Sequence, residues 1–416
     1  MSEIRVAVYQ DGARLHYAVP LAFKRSGMLA AFYTDWYNRQ NLRSWLGINI
    51  AKMISPSDAA RMKQRHSDEL EGTPIFDHWF LYYFVHLGRK KGWLRRKVAN
   101  YAHRFIQQSE SESNNLLRDK IDMVYGFVYS FSQSIAEKIR SRDIALVLDQ
   151  PLATGREAIA QQLGAQRRWP GWSEEVSIDE IQVYTLLSEM RVLPYADQIT
   201  CASDYVKKSL VELQIEPERI SVIPYPLDAA SFPFVDRSGR SGPITVGIIG
   251  TVNLRKGAPV VLEIAKKFSP DKVRFVWVGI STLPSKRTQE LGGYVELTGP
   301  VSRSQIPQWL GKFDIFLLAS RAEGSAGSLM EAMASGLPVV TTTNSGTVAR
   351  DGIEGYIREI DDIDGMTAVI EKLASNTELR LTMGKAARQR VLNFNIEWYG
   401  QCLTDLAVQL IEQRRK

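Results

Sequence analysis

The chain has little cysteine and no long apolar run, and each absence excludes a class of protein. Two cysteines in 416 residues, Cys201 and Cys402, cannot form a disulfide framework and suit a reducing compartment. No apolar run reaches the roughly 20 residues that a membrane-spanning helix needs. The N-terminus begins with a strand-like pattern and shows no signal peptide. We therefore expect a cytoplasmic protein.

A dinucleotide fingerprint is also missing. Residues 4–9, IRVAVY, read as a buried strand, and residues 10–14 read as the turn that follows it. Residues 15–25 then carry apolar side chains at helical spacing. Strand, turn and helix open a Rossmann-like domain, but the turn lacks G-x-G-x-x-G, which argues against a dinucleotide ligand.

Acidic residues are absent from residues 78–108, where seven residues are basic. An aromatic run, WFLYYFV at 79–85, opens this segment. One interpretation is an anionic membrane surface bound through about residues 79–104, with the protein peripheral on the inner face of the membrane. The alternative is an aromatic core helix followed by a solvated basic helix. No recognition motif accompanies the charge, so nucleic acid is not expected as a partner.

Length and composition indicate a two-domain globular protein. The chain is too long for one ordinary domain, and 44% of its residues are hydrophobic while 24% are charged. Residues 36–118 are helical, aromatic and basic, and we read them as a helical insertion without strands. Alternation of strand and helix resumes after residue 119.

The most informative stretch is Arg321–Val340, RAEGSAGSLMEAMASGLPVV. A Gly/Ser loop and a short helix lie there between two strand-like runs, and ligands of parallel sheets bind at the carboxyl ends of strands. The new helix points N–H groups at any phosphate placed before it. Glu323 and Glu331 bracket the loop, and their carboxylates can accept hydrogen bonds from sugar and ribose hydroxyls. The alternative is a capping box, Ser328 with Glu331, that only closes the helix start.

This stretch resembles the donor-site signature of retaining glycosyltransferases with the GT-B fold (group 1, family four). In that signature E-G-x-G precedes E-A-M-A-x-G-x-P-V-V; here the second glycine, Gly327, stands one place late, and residues 331–340 fit place by place. Residues 194–203 and 220–228 look like the same family's second block. The loop Gly250–Gly257 resembles its phosphate loop, with Thr251 in place of an arginine.

The resemblance implies a fold and a division of the chain. The fold class is α/β: two Rossmann-like domains that face a cleft, with the insertion in the first. Residues 1–235 would form the acceptor-binding domain, with the insertion at about 36–118, and the polar stretch 236–243 would be the linker. Residues 236–395 would bind the nucleotide sugar, and a helix in 396–416 would cross back to the first domain.

The resemblance also implies site residues. Glu323 would hold the transferred sugar and Glu331 the ribose, while Lys256 and Arg255 would neutralise the diphosphate. The alternative for Arg255 and Lys256 is a solvated pair. The loop beginning at Gly299 would contact the base. The remaining predicted donor contacts are Gly250, Gly324, Ser325, Ala326, Gly327, Ser328 and Leu329.

Acceptor-side candidates follow from the first turn, which faces the cleft in the resembled family. They are Gly12, Arg14 and His16; for His16 the alternative is a helix-surface residue. Asp149 stands at the end of the strand where many of these enzymes carry a histidine, and we take it as a second catalytic candidate. Its alternative is a turn-forming aspartate.

No metal and no cofactor are expected, and the nucleoside diphosphate sugar would be a co-substrate. Residues 361–364, DDID, resemble a metal-binding pattern, but a helical run follows and Asp361 or Asp364 is better read as its N-cap. The implied reaction is sugar transfer to an acceptor hydroxyl, as in the synthesis of surface polysaccharide or glycolipid. Rival classes are a glycoside hydrolase, a GT-B epimerase or phosphorylase, and a non-catalytic nucleotide-binding partner subunit.

Overall fold

The computed structural model describes residues 4–10, 12–54, 56–77, 120–173 and 180–416. Within these ranges two sheets form, and every strand pairing in them is parallel. Strands of a parallel sheet are covered on both faces, so their residues are apolar on both sides. In the first strand, Val6 and Val8 pack into one core cluster while Ala7 packs into another. The α/β prediction is confirmed.

The first sheet has the strand order β3-β2-β1-β4-β5-β6-β7. The order reverses between β1 and β4, which places a ligand crevice at the carboxyl ends of those two strands. The strands are β1 Val6–Tyr9, β2 Leu29–Thr34, β3 Ile75–Asp77, β4 Met123–Phe127, β5 Ala145–Gln150, β6 Gln198–Cys201 and β7 Ile220–Val222.

Seven described helices accompany this sheet. Each of α4, α5 and α7 begins with a serine or threonine N-cap whose hydroxyl accepts from the first-turn backbone, as the cap rule expects. The helices are α1 Ala18–Arg25, α2 Leu42–Ile54, α3 Pro56–Lys63, α4 Gln133–Ser141, α5 Gly155–Arg168, α6 Glu180–Val192 and α7 Asp204–Val211.

The predicted helical insertion is helical at its start but is not free of strands. Helices α2 and α3 lie in it, yet Ile75–Asp77 forms β3 and pairs with β2 at the sheet edge. Three residues are too few for a periodic signal, so the prediction of no strand is wrong here. Residues 78–119, including the basic aromatic segment, lie outside the described residues.

The first turn of α1 also departs from prediction. The predicted helix 15–25 begins only at Ala18, because Leu15, His16 and Tyr17 all have positive φ, at 51°, 51° and 64°. L-residues rarely adopt this left-handed conformation, and three in succession store backbone strain next to the crevice.

The second sheet has the order β10-β9-β8-β11-β12-β13, with its reversal between β8 and β11. The carboxyl ends of β8 and β11 therefore flank the second crevice. The strands are β8 Ile244–Ile249, β9 Val273–Val278, β10 Val295–Gly299, β11 Ile315–Leu318, β12 Val339–Thr342 and β13 Gly355–Arg358.

The last helix leaves the second sheet and packs on the first. Phe394 lies in a core cluster beside β11, whereas Tyr399, Leu403 and Ala407 pack with α1 and β1. The helices of this half are α8 Ala258–Ala265, α9 Ser285–Gly292, α10 Ile306–Lys312, α11 Gly327–Ala334, α12 Ile363–Ser375, α13 Thr377–Leu392 and α14 Ile396–Arg415.

A second crossing comes from α5 and the residues after it, 155–173, which we call the arm. It starts at the end of β5, but Ala165 and Trp172 are buried in the core of the second sheet. The Trp169 indole donates to Asp361 at 3.3 Å. Arg287 of α9 donates to the carbonyls of Pro170 and Gly171 and lies over the Trp172 ring. The arm therefore ties the two sheets together.

The predicted linker, residues 236–243, is anchored rather than loose. Arg237 is 7% exposed and donates to the carbonyls of Phe313, Leu310 and Ser335 in the second half. Burial lowers its pKa to about 10. The segment packs on the second sheet.

No helix among the described residues combines the length and apolarity needed to cross a membrane.

Candidate functional site

The loop after β8 is built around two close backbone approaches. Gly257 has φ 78°, and a Cβ there would lie 2.1 Å from the Ala319 carbonyl oxygen at the end of β11. Only glycine fits such a position. The Asn253 side chain accepts from the Lys256 amide at 2.9 Å and fixes the turn. The loop is thereby held at the carboxyl ends of both strands at the reversal point.

Lys256 and Arg255 converge on one carboxylate. The Lys256 ammonium lies 2.8 Å from Glu323 Oε1, and the Arg255 guanidinium contacts the same oxygen. Arg255 also donates to the Ala322 carbonyl at 2.8 Å. Lys256 is therefore buried rather than solvated, whereas the Arg255 side chain is 50% exposed. Two cations and one carboxylate share a small volume at the sheet edge.

Burial sets the electrostatics of Lys256. Desolvation lowers the pKa of its ammonium, and the Glu323 charge partly opposes that effect. A second anionic group, such as a diphosphate, would favour the charged ammonium further. Thr251 lies in the same loop at the place where the resembled signature has an arginine, and that Arg255 replaces this arginine stays a prediction.

The loop after β11 is wedged between the two halves. A Cβ on Gly324 would lie 1.8 Å from the Pro151 carbonyl oxygen at the end of β5, and the Gly324 carbonyl accepts from Ser203 at 2.6 Å. Gly324 was predicted to let the backbone approach a ligand. The structure shows that it approaches Pro151 beside the first sheet, and a contact of Gly324 with a ligand stays a prediction.

Helix α11 offers part of its first turn to a ligand. Its N-cap, Ala326, has no side-chain cap, and the Ala326 amide donates to the Ser345 carbonyl at 3.2 Å. For the amides of Gly327 and Ser328 the described residues supply no hydrogen-bond acceptor. Unpaired N–H groups at a helix start attract anions. Ser325 and Leu329 lie on either side of this turn.

Glu331 does not form the capping box that the sequence allowed. Ser328 is already inside the helix, and the Glu331 carboxylate points to Arg303, whose guanidinium lies 2.7 Å from Oε1. The residue is 4% exposed, and its Oε2 is buried without a hydrogen-bond partner in the described chain. Burial raises the pKa of this carboxyl. A buried unsatisfied oxygen is costly unless a ligand completes it.

Arg303 was missed by the sequence analysis. It follows the loop that starts at Gly299, lies over the ring of Phe232, and is 67% exposed at its side chain. No spacing rule connects it to Glu331, because the pair joins two separate loops. The Gly299 carbonyl accepts from the Gly279 amide at 3.1 Å, which holds this loop beside the end of β9.

Asp149 lies in β5 and is 1% exposed. Its carboxylate accepts from the Tyr125 hydroxyl at 3.0 Å and from the Tyr225 hydroxyl at 2.8 Å. These contacts place it in a buried polar cluster between strands rather than in a turn. A contact with the reaction centre stays a prediction. The backbone two residues further on, at Pro151, is what meets the Glu323 loop.

On the acceptor side the structure describes Gly12 and His16 but not the side chain of Arg14. The Gly12 amide donates to Asp35 at 2.7 Å, and Arg65 pairs with the same carboxylate at 2.8 Å. His16 is exposed and belongs to the left-handed turn. Asp35 and Arg65 were not singled out from the sequence, since they meet Gly12 across 23 and 53 residues of chain.

The pattern at residues 361–364 is a helix cap. Asp362, rather than Asp361 or Asp364, is the N-cap of α12, and its carboxylate accepts from the Gly365 amide at 2.9 Å. Asp361 pairs with Arg321. The described residues contain one group of three potential metal ligands, His66, Asp68 and Glu71, on the surface of the first half.

Solved structures share this two-sheet arrangement over their whole length. Sucrose-phosphate synthase from Thermosynechococcus elongatus superposes with a TM-score of 0.64 at 14% identity, covering 99% of this chain and 100% of that one. HepE of Anabaena, solved in complex with UDP and glucose, superposes with a TM-score of 0.59 at 13% identity, covering 97% and 100%. The fold is GT-B, as predicted, with two Rossmann-like domains.

Sequence relatives point to the same class. Residues 243–376 match the family model of glycosyl transferases group 1. The E. coli UDP-Gal:alpha-D-GlcNAc-diphosphoundecaprenol alpha-1,3-galactosyltransferase is 25% identical over 221 residues, 48% of this chain and 57% of that protein. The putative teichuronic acid biosynthesis glycosyltransferase TuaH of Bacillus subtilis (strain 168) is 28% identical over 207 residues, 45% and 51%.

The chain spans about half the length of these relatives. The matched part contains the Lys256, Glu323 and Glu331 constellation. Residues 243–376 therefore match a group 1 glycosyl transferase domain, and they lie in a chain with the GT-B fold.

Proposed function

We propose that this protein is a retaining glycosyltransferase that moves a sugar from a nucleoside diphosphate sugar to an acceptor hydroxyl. The observation that carries the proposal is the convergence at one sheet edge: Lys256 and Arg255 on Glu323, and the buried free oxygen of Glu331 on the next helix. A diphosphate needs the cations, a ribose needs the acceptor oxygen, and a sugar needs the second carboxylate.

In this proposal each group has one task. Lys256 and Arg255, with the amides at the start of α11, stabilise the negative charge that grows on the leaving diphosphate. Glu323 accepts hydrogen bonds from the transferring sugar. Glu331 accepts them from the ribose. The chemistry requires no metal, because side-chain cations and amides neutralise the leaving group.

The substrate class draws on the relatives. The named relatives act in the assembly of lipid-linked glycans and teichuronic acid, so we assign this chain to surface polysaccharide or glycolipid synthesis. Retention of anomeric configuration rests on the resemblance of residues 323–340 to the retaining signature. A peripheral position on an anionic membrane surface through about 79–104, on the inner face, is part of the same proposal.

Nucleotide binding is the direct test. We expect one nucleoside diphosphate from a panel of uridine, guanosine, adenosine and thymidine diphosphates to raise the melting temperature, because a bound ligand stabilises the native state. Lys256→Ala should weaken the binding of that nucleotide by about 1.5–3 kcal/mol, the range for a charge-assisted hydrogen bond. Arg255→Ala should do the same. The matched control is Lys266→Ala, a more exposed lysine paired with Glu263 in the same half. No shift with any nucleotide would refute the donor site.

Turnover then separates the enzyme from its rivals. We expect the enzyme to release nucleoside diphosphate and to transfer the sugar to the acceptor. Proton NMR of the product should show the anomeric configuration of the donor. A non-catalytic partner subunit would bind nucleotide without turnover with any acceptor. Isomerisation without acceptor would show an epimerase, phosphate-dependent lysis a phosphorylase, and free sugar from a glycoside without nucleotide a hydrolase.

A further inference from the structure

Arg303 is held in place by its own turn. It opens the short turn Arg303–Gln305, which leads into α10. The Gln305 side chain accepts hydrogen bonds from the Ser302 amide and from the Ser302 hydroxyl, each at 2.9 Å. Such a cap fixes the path of the backbone at the start of a helical turn. The Arg303 side chain therefore leaves the loop from a defined position.

The Arg303 guanidinium lies against an aromatic ring of the packed core. It is 5.3 Å from the centre of the Phe232 ring, within the range of cation–π attraction. Phe232 is 4% exposed and packs in one core cluster with residues of α11. Arg388 donates to the Phe232 carbonyl at 2.8 Å and to the Ala334 carbonyl, at the end of α11, at 2.7 Å. The ring is therefore fixed relative to α11.

The ion pair between Arg303 and Glu331 is unequal in exposure. The two side chains meet at 2.7 Å, and the Arg303 side chain is 67% exposed whereas that of Glu331 is 6% exposed. An ion pair between two exposed side chains would contribute little. Here one partner is a buried carboxylate, which is costly to keep charged without a nearby cation. Removal of Arg303 should therefore change the charge state of Glu331 as well as a surface contact.

The cations of the neighbouring loop do not replace Arg303. Burial raises the pKa of the Glu331 carboxyl, and the hydrogen bond and the charge of Arg303 oppose that rise. Lys256 and Arg255 pair with Glu323. The two carboxylates of the site thus have separate counter-charges.

The elements packed against α11 add no second counter-charge. These elements are β11, β12 and α13. The two strands, IFLL and VVTT, carry no charged residue. The charged residues of α13 either donate to backbone carbonyls, as Arg380, Arg388 and Arg390 do, or are exposed, as Glu378 and Lys385 are. Among the described residues, the charge state of Glu331 therefore depends on Arg303.

We propose that Arg303 is a positioning residue for the nucleotide, which holds Glu331 by Oε1 and so presents Oε2 to a ribose hydroxyl. Oε2 is buried and has no hydrogen-bond partner among the described residues. This role rests on the proposed function, because it takes Glu331 as the ribose acceptor. It adds that Glu331 accepts well only while Arg303 keeps the carboxylate charged and oriented.

A nucleotide without ribose hydroxyls isolates this contact. The probes are UDP, the nucleotide of the HepE complex, and 2′,3′-dideoxy-UDP, both measured by calorimetry. Wild type should prefer UDP by about tenfold or more, as for a hydrogen bond to a charged group. Arg303→Met keeps a long side chain without the charge. It should lose most of that preference and bind dideoxy-UDP as wild type does, while Arg303→Lys should regain part of the preference.

The pH dependence separates a loss of charge from a damaged loop. Without Arg303, the Glu331 carboxyl should take up its proton at a higher pH, so UDP affinity should begin to fall at a higher pH than in wild type. In a Glu331→Gln background nothing titrates at this position, and adding Arg303→Met should change neither UDP affinity nor its pH dependence. The phosphate groups of UDP titrate alike in all variants and cancel in the comparison.

Arg358→Met is the matched control. Arg358 also pairs with a carboxylate, that of Asp351, and also lies over an aromatic ring, that of Tyr356, but it belongs to the edge strand β13. This variant should keep the wild-type preference for UDP and the wild-type pH dependence. Melting temperatures without nucleotide check that each variant is folded. If another nucleoside diphosphate of the panel binds in place of UDP, it and its dideoxy analogue serve as the probes.

Three results for Arg303→Met would overturn the positioning role and leave the donor site standing. Equal weakening of UDP and dideoxy-UDP at every pH would show a direct contact with phosphate or base, or a damaged loop. Tighter UDP binding would show that Arg303 occupies the place of the nucleotide. An unchanged preference for UDP, with that preference lost in Glu331→Gln, would leave only a surface ion pair. If wild type binds none of the four nucleotides, the donor site and the role of Arg303 fail together.

Discussion

Glu331 has two carboxylate oxygens in different surroundings. Oε1 pairs with Arg303 at 2.7 Å, while Oε2 is buried and has no hydrogen-bond partner among the described residues. If Oε2 accepts from the ribose, the contact is made in the ground state and in the transition state alike. We expect Glu331→Gln to raise the donor KM and to leave kcat less affected.

Donor kinetics and melting temperature on Glu331→Gln and Glu331→Ala check this prediction. A cap would lose about 0.5–2 kcal/mol of stability on replacement by alanine without any change in KM. A wild-type KM in Glu331→Gln would contradict the ribose assignment.

The raised pKa of Glu331 predicts two effects of opposite sign. As pH falls toward its folded pKa, which lies above 4.5, the carboxylate takes up a proton and becomes a weaker acceptor, so donor affinity should fall. Over the same window the native state binds the proton more tightly than the unfolded state, so this group's contribution to stability should rise as pH falls. Titration of nucleotide affinity and of the free energy of unfolding, against Glu331→Gln, measures both. Affinity that is flat between pH 7 and 4.5 would oppose the assignment.

At the scale of elements, the loops after β8 and β11 form one electrostatic unit. The Glu323 carboxylate forms ion pairs with both Lys256 and Arg255, so a diphosphate must compete with this carboxylate for the two cations. Glu323→Gln should therefore lower kcat strongly yet tighten binding of bare nucleoside diphosphate. It should also lower the melting temperature, since Lys256 is 9% exposed and would lose its counter-charge.

Calorimetry with the bare nucleotide measures that change, with Glu263→Gln as control because it too pairs with a lysine in this half. Weaker nucleotide binding in Glu323→Gln would mean that the carboxylate positions the cations instead of competing for them.

The elements that could be predicted from the sequence are those whose sequence pattern lies within a few neighbouring residues. The Gly250–Gly257 loop and the Arg321–Val340 unit carry their glycines and charges within a few residues, so both could be read from spacing. Strand β3 has three residues, too few for periodicity. The left-handed turn at residues 15–17 contains no glycine, the residue type from which a positive φ would be predicted. Each failure is a case in which tertiary context overrides local preference.

At the scale of the molecule, the contacts that the sequence concealed are those between the halves. Trp169 meets Asp361 across 192 residues, and Ser203 meets Gly324 across 121. No local pattern encodes such pairs. The GT-B fold was predicted through family resemblance, while the seating of the two domains on each other could only be seen in the structure.

Gly324 makes that seating testable. A methyl group at this position would lie 1.8 Å from the Pro151 oxygen, so Gly324→Ala should push the halves apart. We expect activity to fall while nucleoside diphosphate binding persists, because the cations belong to the second half alone. Small-angle scattering should show a larger radius of gyration. Gly311→Ala, whose methyl would meet only Val235 at 3.9 Å, is the control. Unchanged activity and an unchanged radius of gyration in Gly324→Ala would contradict the view that the Gly324–Pro151 contact sets the distance between the halves.

The arm at residues 155–173 has a consequence for how the chain could be divided. It reaches from the first half into the core of the second, while α14 reaches back from the second half into the first. Each half is therefore packed against the other through one of its own elements, the arm from the first half and α14 from the second. Two separately expressed fragments, 1–235 and 236–416, should associate in solution and co-purify as one complex. Trp172→Ala in the first fragment should weaken that association.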